Sequence, residues 1–167
     1  GSIQRAGTLA RELGINHALV VTDAGIHASG LTEELAESLA AEDIRVSLYT
    51  DVVADPPEAV VLEAVARARD VNIDGVIGFG GGSSMDVAKV IAVLTNSKQK
   101  IAEIYGIGNV RSPRLPLIQV PTTAGTGSEV TPIAIITTGE TTKTGIVSPQ
   151  LLPDIALLDA ALTLALP

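Results

Sequence analysis

Cysteine is absent from all 167 residues, which excludes disulfides, Fe–S clusters and thiolate zinc sites. Tryptophan is absent as well, and Phe79, Tyr49 and Tyr105 are the only aromatic residues. A core must therefore be built from Ala, Val, Ile and Leu, which suits helices layered on a parallel sheet. Basic residues are outnumbered, 11 against 19 acidic, and a net charge of −8 with no basic patch repels nucleic acid and anionic membranes. Although 46% of the residues are hydrophobic, no apolar run approaches the roughly 18 residues of a membrane span. With neither a charged n-region nor an apolar h-region at its start, the chain is expected to be cytoplasmic. Its length fits one domain, long enough to bury a substantial core.

The apolar pattern alternates between helical and strand periods. Gln4 to Leu13 reads as a helix stopped by Gly14, and Ala18 to Thr22 as a short buried strand that leaves Asp23 at its C-terminal end. Leu31, Leu35 and Leu39 carry a second helix, with Thr32, Glu33 and Glu34 suited to its first turn. Arg45 to Tyr49 is the next strand, and the Asp55-Pro56-Pro57 turn starts a helix that runs to Asp70. Gly75 to Phe79 is a third strand, and Ser83 to Leu94 a further helix. A short helix near Ile101 to Tyr105 and strands at Leu117 to Val120, Val130 to Thr137, Thr144 to Val147 and Ile155 to Leu158 complete the pattern. The alternation predicts an α/β fold, a parallel sheet flanked by helices that binds ligands beyond the C-terminal strand ends. Asp23 and the glycines after the third strand both map there.

Gly80-Gly81-Gly82-Ser83, between a strand and a helix, is the strongest chemical signal. Backbone without side chains lets a phosphate approach the N–H groups at a helix N-terminus. A tight strand-to-helix turn is the alternative, although three consecutive glycines exceed what a turn needs. The common GxGxxG fingerprint does not fit: the loop follows the third strand, and the candidate ribose acid Asp23 precedes it. No Walker A pattern is present. His17 and His27 have no partner at metal-ligand spacing and read as surface residues.

GGGSSMDVAK from Gly80 to Lys89, followed by PTTAGTGSEVT from Pro121 to Thr131, resembles the iron-containing alcohol dehydrogenases. The resemblance extends over essentially the whole chain, through LLPDIALLDAALTLALP at its end. It implies a Rossmann-like, dehydroquinate-synthase-like N-terminal domain spanning residues 1–167 that binds NAD. The iron (or zinc) of the parent enzyme would be held by a helical domain beyond this chain. The implied reaction is hydride transfer between NAD and a small alcohol or aldehyde, the fragment alone being inactive, and a homo-oligomer is left open. A stand-alone dinucleotide module is a second reading. A same-fold reductase or synthase, such as maleylacetate reductase or glycerol dehydrogenase, is a third.

The resemblance also assigns residues. Gly80, Gly81, Gly82 and Ser83 would cradle the pyrophosphate, and Thr122, Thr123 and Thr126 would line the cofactor cleft. Lys143 matches a lysine that reaches the ribose beside the nicotinamide, and Asp86 an aspartate near the nicotinamide end. Asp23 stands where NAD-selecting members carry an acid, which accepts from the ribose 2′-OH and repels a 2′-phosphate. A strand-end turn for Asp23, the helix dipole for Asp86, solvation for Lys143 and self-satisfied loop hydroxyls for the threonines are the structural alternatives. Asp55-Pro56 departs from the family's frequent Asn-Pro, so the resemblance assigns no polar contact to that loop.

Overall fold

The computed structural model describes residues 1–164; residues 165–167, the last of the LLPDIALLDAALTLALP segment, lie outside the described residues. A 3₁₀ turn at Ser2–Arg5 leads into α1 (Ala6–Glu12), which Gly14 ends in the left-handed conformation. Then follow β1 (His17–Asp23), α2 (Ala24–Ala28), α3 (Leu31–Ala40), β2 (Arg45–Val52), α4 (Glu58–Asp70), β3 (Gly75–Gly80) and α5 (Gly82–Leu94). Beyond them lie β4 (Gly106–Ile107), β5 (Leu117–Pro121), β6 (Ile133–Thr138), β7 (Thr142–Val147) and β8 (Ile155–Ala156).

Five strands form a parallel sheet in the order β2-β1-β3-β5-β8. The alternation inside each strand sends side chains to two cores. Leu19 and Val21 of β1, Val76 of β3 and Leu117 of β5 join α4 and α5 on one face. Ala18 and Val20, Ile77 and Phe79, and Ile118 and Val120 join α1 and α3 on the other. Connection direction explains this division. The chain moves one way from β1 to β2, then back past β1 to β3 and onward to β5. Crossovers of one hand place helices on opposite faces when the direction reverses. α3 therefore covers one face, and α4 and α5 the other. The reversal also opens a crevice beyond the carboxyl ends of β1 and β3, where open α/β sheets bind ligands.

A second sheet, β4-β7-β6, combines the antiparallel β6–β7 hairpin with a short parallel pairing of β4 on β7. Ala134 and Ile136 of β6 and Ile146 of β7 pack into the α4/α5 core, so the hairpin lies against α5.

Three local readings change. His17 is buried, not a surface residue, because it is the first residue of central strand β1 and its Nε2 lies 2.9 Å from Ser47 Oγ. His27 is exposed as read, but on helix α2 instead of in a loop. That helix has only five residues, too few for a periodic signal. The strand expected from Val130 begins at Ile133, since Ser128–Val130 forms a 3₁₀ turn.

Candidate functional site

The cleft at the crevice is about 640 Å³ and is lined by residues 23–26, 52–54, 81–84, 122 and 123. These are the segments that leave the carboxyl ends of β1, β2, β3 and β5. Each wall follows from local sequence.

Asp23 ends β1 and caps α2, its Oδ1 accepting from Ile26 N at 2.9 Å. The strand-end role weighed for Asp23 is thus present, and the residue also lines the cleft. One carboxylate oxygen serves the cap, and Oδ2 faces Gly80.

The three glycines divide. Gly80 has φ +148, and a Cβ there would fall 2.9 Å from Ser84 Oγ, so the fold itself requires glycine. Gly81 has φ −80 and ψ −174, backbone open to any residue, and its Cβ would meet only Thr123 Oγ1 at 3.4 Å. Gly82 opens α5 in helical conformation, with the nearest atoms to its Cβ position on Thr126 at 3.6 Å. Nothing among the described residues explains glycine at 81 and 82; a Cβ there would project into space those residues leave open. No side chain caps α5, a helix of 13 residues, so its first-turn N–H groups and the positive end of its dipole are available to an anion.

Across from this loop, Thr122 N donates to Gly80 O at 2.9 Å, which carries the β3–β5 pairing one residue beyond the strand end. Thr122 is fully buried, and its Oγ1 has no partner among the described residues. An unsatisfied buried hydroxyl costs about 1–3 kcal/mol, and this one lies in the wall of the cleft. Thr123 and Thr126 are exposed on the same loop, Thr126 Oγ1 accepting weakly from Ser128 N at 3.4 Å.

Of the residues assigned by resemblance, Gly80 and Thr126 adjoin the cleft lining without belonging to it, and two others stand away from it. Asp86 lies in the second turn of α5, not the first, and accepts from Ser128 Oγ at 2.6 Å and Ile135 N at 3.0 Å. Lys143 sits on β7 and pairs with Asp55 at 2.7 Å, both side chains being more than half exposed. Residues 52–54 were missed by sequence reading. Their signal is positional: β2 is parallel to and adjacent to β1, so its carboxyl end reaches the same crevice, and Val53 is 51% exposed there.

No Lys or Arg is among the lining residues, so the cleft offers an anion only backbone N–H groups, hydroxyls and a helix dipole. Among the described residues, no three His, Asp or Glu side chains converge as metal ligands. The iron or zinc implied by resemblance therefore has no donor set here.

The family described as iron-containing alcohol dehydrogenase matches residues 1–160. The probable alcohol dehydrogenase EutG of Escherichia coli K12 is 41% identical over 100% of this chain and 42% of its own length. The NAD-dependent methanol dehydrogenase of Bacillus methanolicus is 33% identical, over 100% of this chain and 44% of that protein. The crystal structure of sulfoacetaldehyde reductase from Bifidobacterium kashiwanohense in complex with NAD⁺ superposes with a TM-score of 0.91 at 32% identity. That match covers 100% of this chain and 44% of the reductase. The chain thus spans less than half the length of the relatives it matches.

Proposed function

The chain belongs to the iron-containing alcohol dehydrogenase family, and from that premise we propose that it binds the nicotinamide dinucleotide of such an enzyme. The observation that carries this is the pair Gly81 and Gly82, whose missing Cβ atoms serve no need of the fold. A phosphate approaching the α5 N-terminus needs that space and the uncapped N–H groups beside it. The buried Thr122 hydroxyl adds a polar contact. Asp23 Oδ2 is free of the cap and suits a ribose diol, while its charge disfavours a 2′-phosphate. Ile26 and Val53 supply an apolar wall for a planar base.

When bound, the dinucleotide supplies the hydride chemistry; this chain's residues hold and orient it. Gly80 to Ser83 carry the phosphates, Thr122 and Thr123 face them from the β5 side, and Thr126 supports the loop beside Gly82. Asp86 and Lys143 are left out of direct contact, being engaged elsewhere. For the whole protein we propose a cytoplasmic oxidoreductase that interconverts a small alcohol and its aldehyde or ketone. Its metal would be held by residues outside this chain.

A fluorescence titration of the protein with NADH tests the reading. Saturable binding is expected, weak because no cationic side chain lines the cleft. Absence of binding at millimolar NADH would reject it.

A further inference from the structure

Lys89 is the most fully buried charged group in the described chain, at 0% exposure, and the cofactor reading makes no use of it. Its ammonium donates to Ser128 Oγ at 3.0 Å, Thr131 Oγ1 at 3.3 Å and Ile133 O at 2.6 Å. An ammonium has three donors, and all three are used. Asp86 lies 3.5 Å away, one turn earlier on α5. Its two oxygens accept from Ser128 Oγ at 2.6 Å and Ile135 N at 3.0 Å.

The donors and acceptors form a directed chain. Lys89 donates to the Ser128 hydroxyl, and that hydroxyl donates to Asp86, so the serine links the two charged side chains. Burial pulls the Lys89 ammonium below its ordinary value, and the charge and hydrogen bonding of Asp86, with Glu129 nearby, oppose that pull.

Every partner of Lys89 other than Asp86 belongs to residues 128–133, the continuation of the loop whose first residues line the cleft. The two sequence motifs are therefore one mechanical unit. Gly81 and Gly82 face Thr123 and Thr126 at one end, and Asp86 and Lys89 grip Ser128 and Thr131 at the other. A buried ion pair is seldom the most stabilising way to fill such a space, and apolar residues of similar volume often do better. What a fully satisfied pair adds is a single register between the elements it joins.

We infer that Lys89, Asp86 and Ser128 are positioning residues: a buried clasp that holds the threonine loop at a fixed distance from the glycine loop, and so sets dinucleotide affinity. The inference rests on the cofactor reading for its consequence, and the clasp itself is measurable without ligand. Asp86 then acts through the loop and need not touch the dinucleotide.

Ser128→Ala removes the shared hydroxyl with little change of volume, and Ser128→Thr keeps a hydroxyl. Lys89→Met removes the buried charge. NADH titration and amide hydrogen exchange are read on each, well below the melting temperature. In Ser128→Ala, faster exchange confined to residues 122–131 and an affinity about tenfold weaker are expected, with Ser128→Thr close to the parent. Lys89→Met should move both readouts further; if it fails to fold, Ser128→Ala decides alone. Unchanged exchange in Ser128→Ala overturns the clasp. Faster loop exchange with parental affinity overturns its role in binding. A parent that binds no NADH, with loop exchange still accelerated in Ser128→Ala, rejects the cofactor reading and keeps the clasp.

Discussion

The Asp23 carboxylate and Gly80 stand side by side at the ends of neighbouring parallel strands, with a Cβ on Gly80 falling 3.6 Å from Asp23 Oδ2. One acid and one helix N-terminus thereby open on the same crevice. Strand order β2-β1-β3 creates that crevice, and its two sides can be tested apart.

Gly81→Val should abolish NADH binding, a loss of at least about a hundredfold, or ~2.7 kcal/mol, with the fold retained. Its backbone suits valine, and the stability cost should be about 1 kcal/mol, from losing glycine at the α5 N-cap. Gly80→Val should instead lower the melting temperature sharply, because φ +148 and the Ser84 contact at 2.9 Å exclude a side chain. Calorimetric binding and thermal melts on both variants make the check. Equal affinity for Gly81→Val and the parent would reduce the glycine loop to a turn.

Asp23→Gly should weaken discrimination between NAD and NADP by about 1–3 kcal/mol, since it removes both a ribose acceptor and a repelling charge. Loss of the bond to Ile26 N should cost only a few tenths of a kcal/mol, glycine being tolerated at an N-cap. The ratio of the two dissociation constants is the measurement. An unchanged ratio would confine Asp23 to capping α2.

Asp154 should make the fold acid-sensitive. Burial alone would raise its pKa, but two Arg114 hydrogen bonds at 2.6 and 3.0 Å, the Leu117 N–H at 2.8 Å and the arginine charge outweigh it and hold the carboxyl low. The unfolded chain then binds more protons than the folded one between the lowered pKa and about 4. The contribution is complete above about pH 4 and is lost as pH falls through the folded value. Asp154→Asn should cost no more than about 1 kcal/mol at neutral pH, because the pair is screened by solvent, and should flatten the acid limb of a stability profile. Parallel profiles for variant and parent would show that this ion pair does not set acid stability.

The protein as it stands should retain no stoichiometric iron or zinc and should not oxidise alcohols. A catalytic metal needs about three or four converging protein donors, and no such group exists among the described residues. Elemental analysis after dialysis against each metal, with an assay of NADH formation from short alcohols, is the test. One bound metal per chain together with turnover would contradict the proposed division of labour.

The alternating strand and helix periods, the glycine loop, Asp23 at a strand end and the presence of two distinct motifs were all legible in the residues alone. They are local properties: apolar spacing follows the 2.0 and 3.6 periods, and a run of glycines is visible without any contact. What periodicity could not reveal was pairing across the chain. α2 is too short to carry a period, and Val53 gains its place only because β2 returns beside β1. Lys143 finds Asp55, 88 positions away in sequence, because the hairpin and the loop after β2 meet at the bridge between Pro57 and Thr137. The same physics separates Gly81 from Gly80: both are written as glycine, and only packing shows that one is demanded by Ser84 and the other by nothing in the chain. Lys89 is the sharpest case. The sequence reading assigned it no environment, and its burial was decided by tertiary structure, since residues 128, 131 and 133, folded back onto α5, supply the acceptors that make a buried ammonium tolerable.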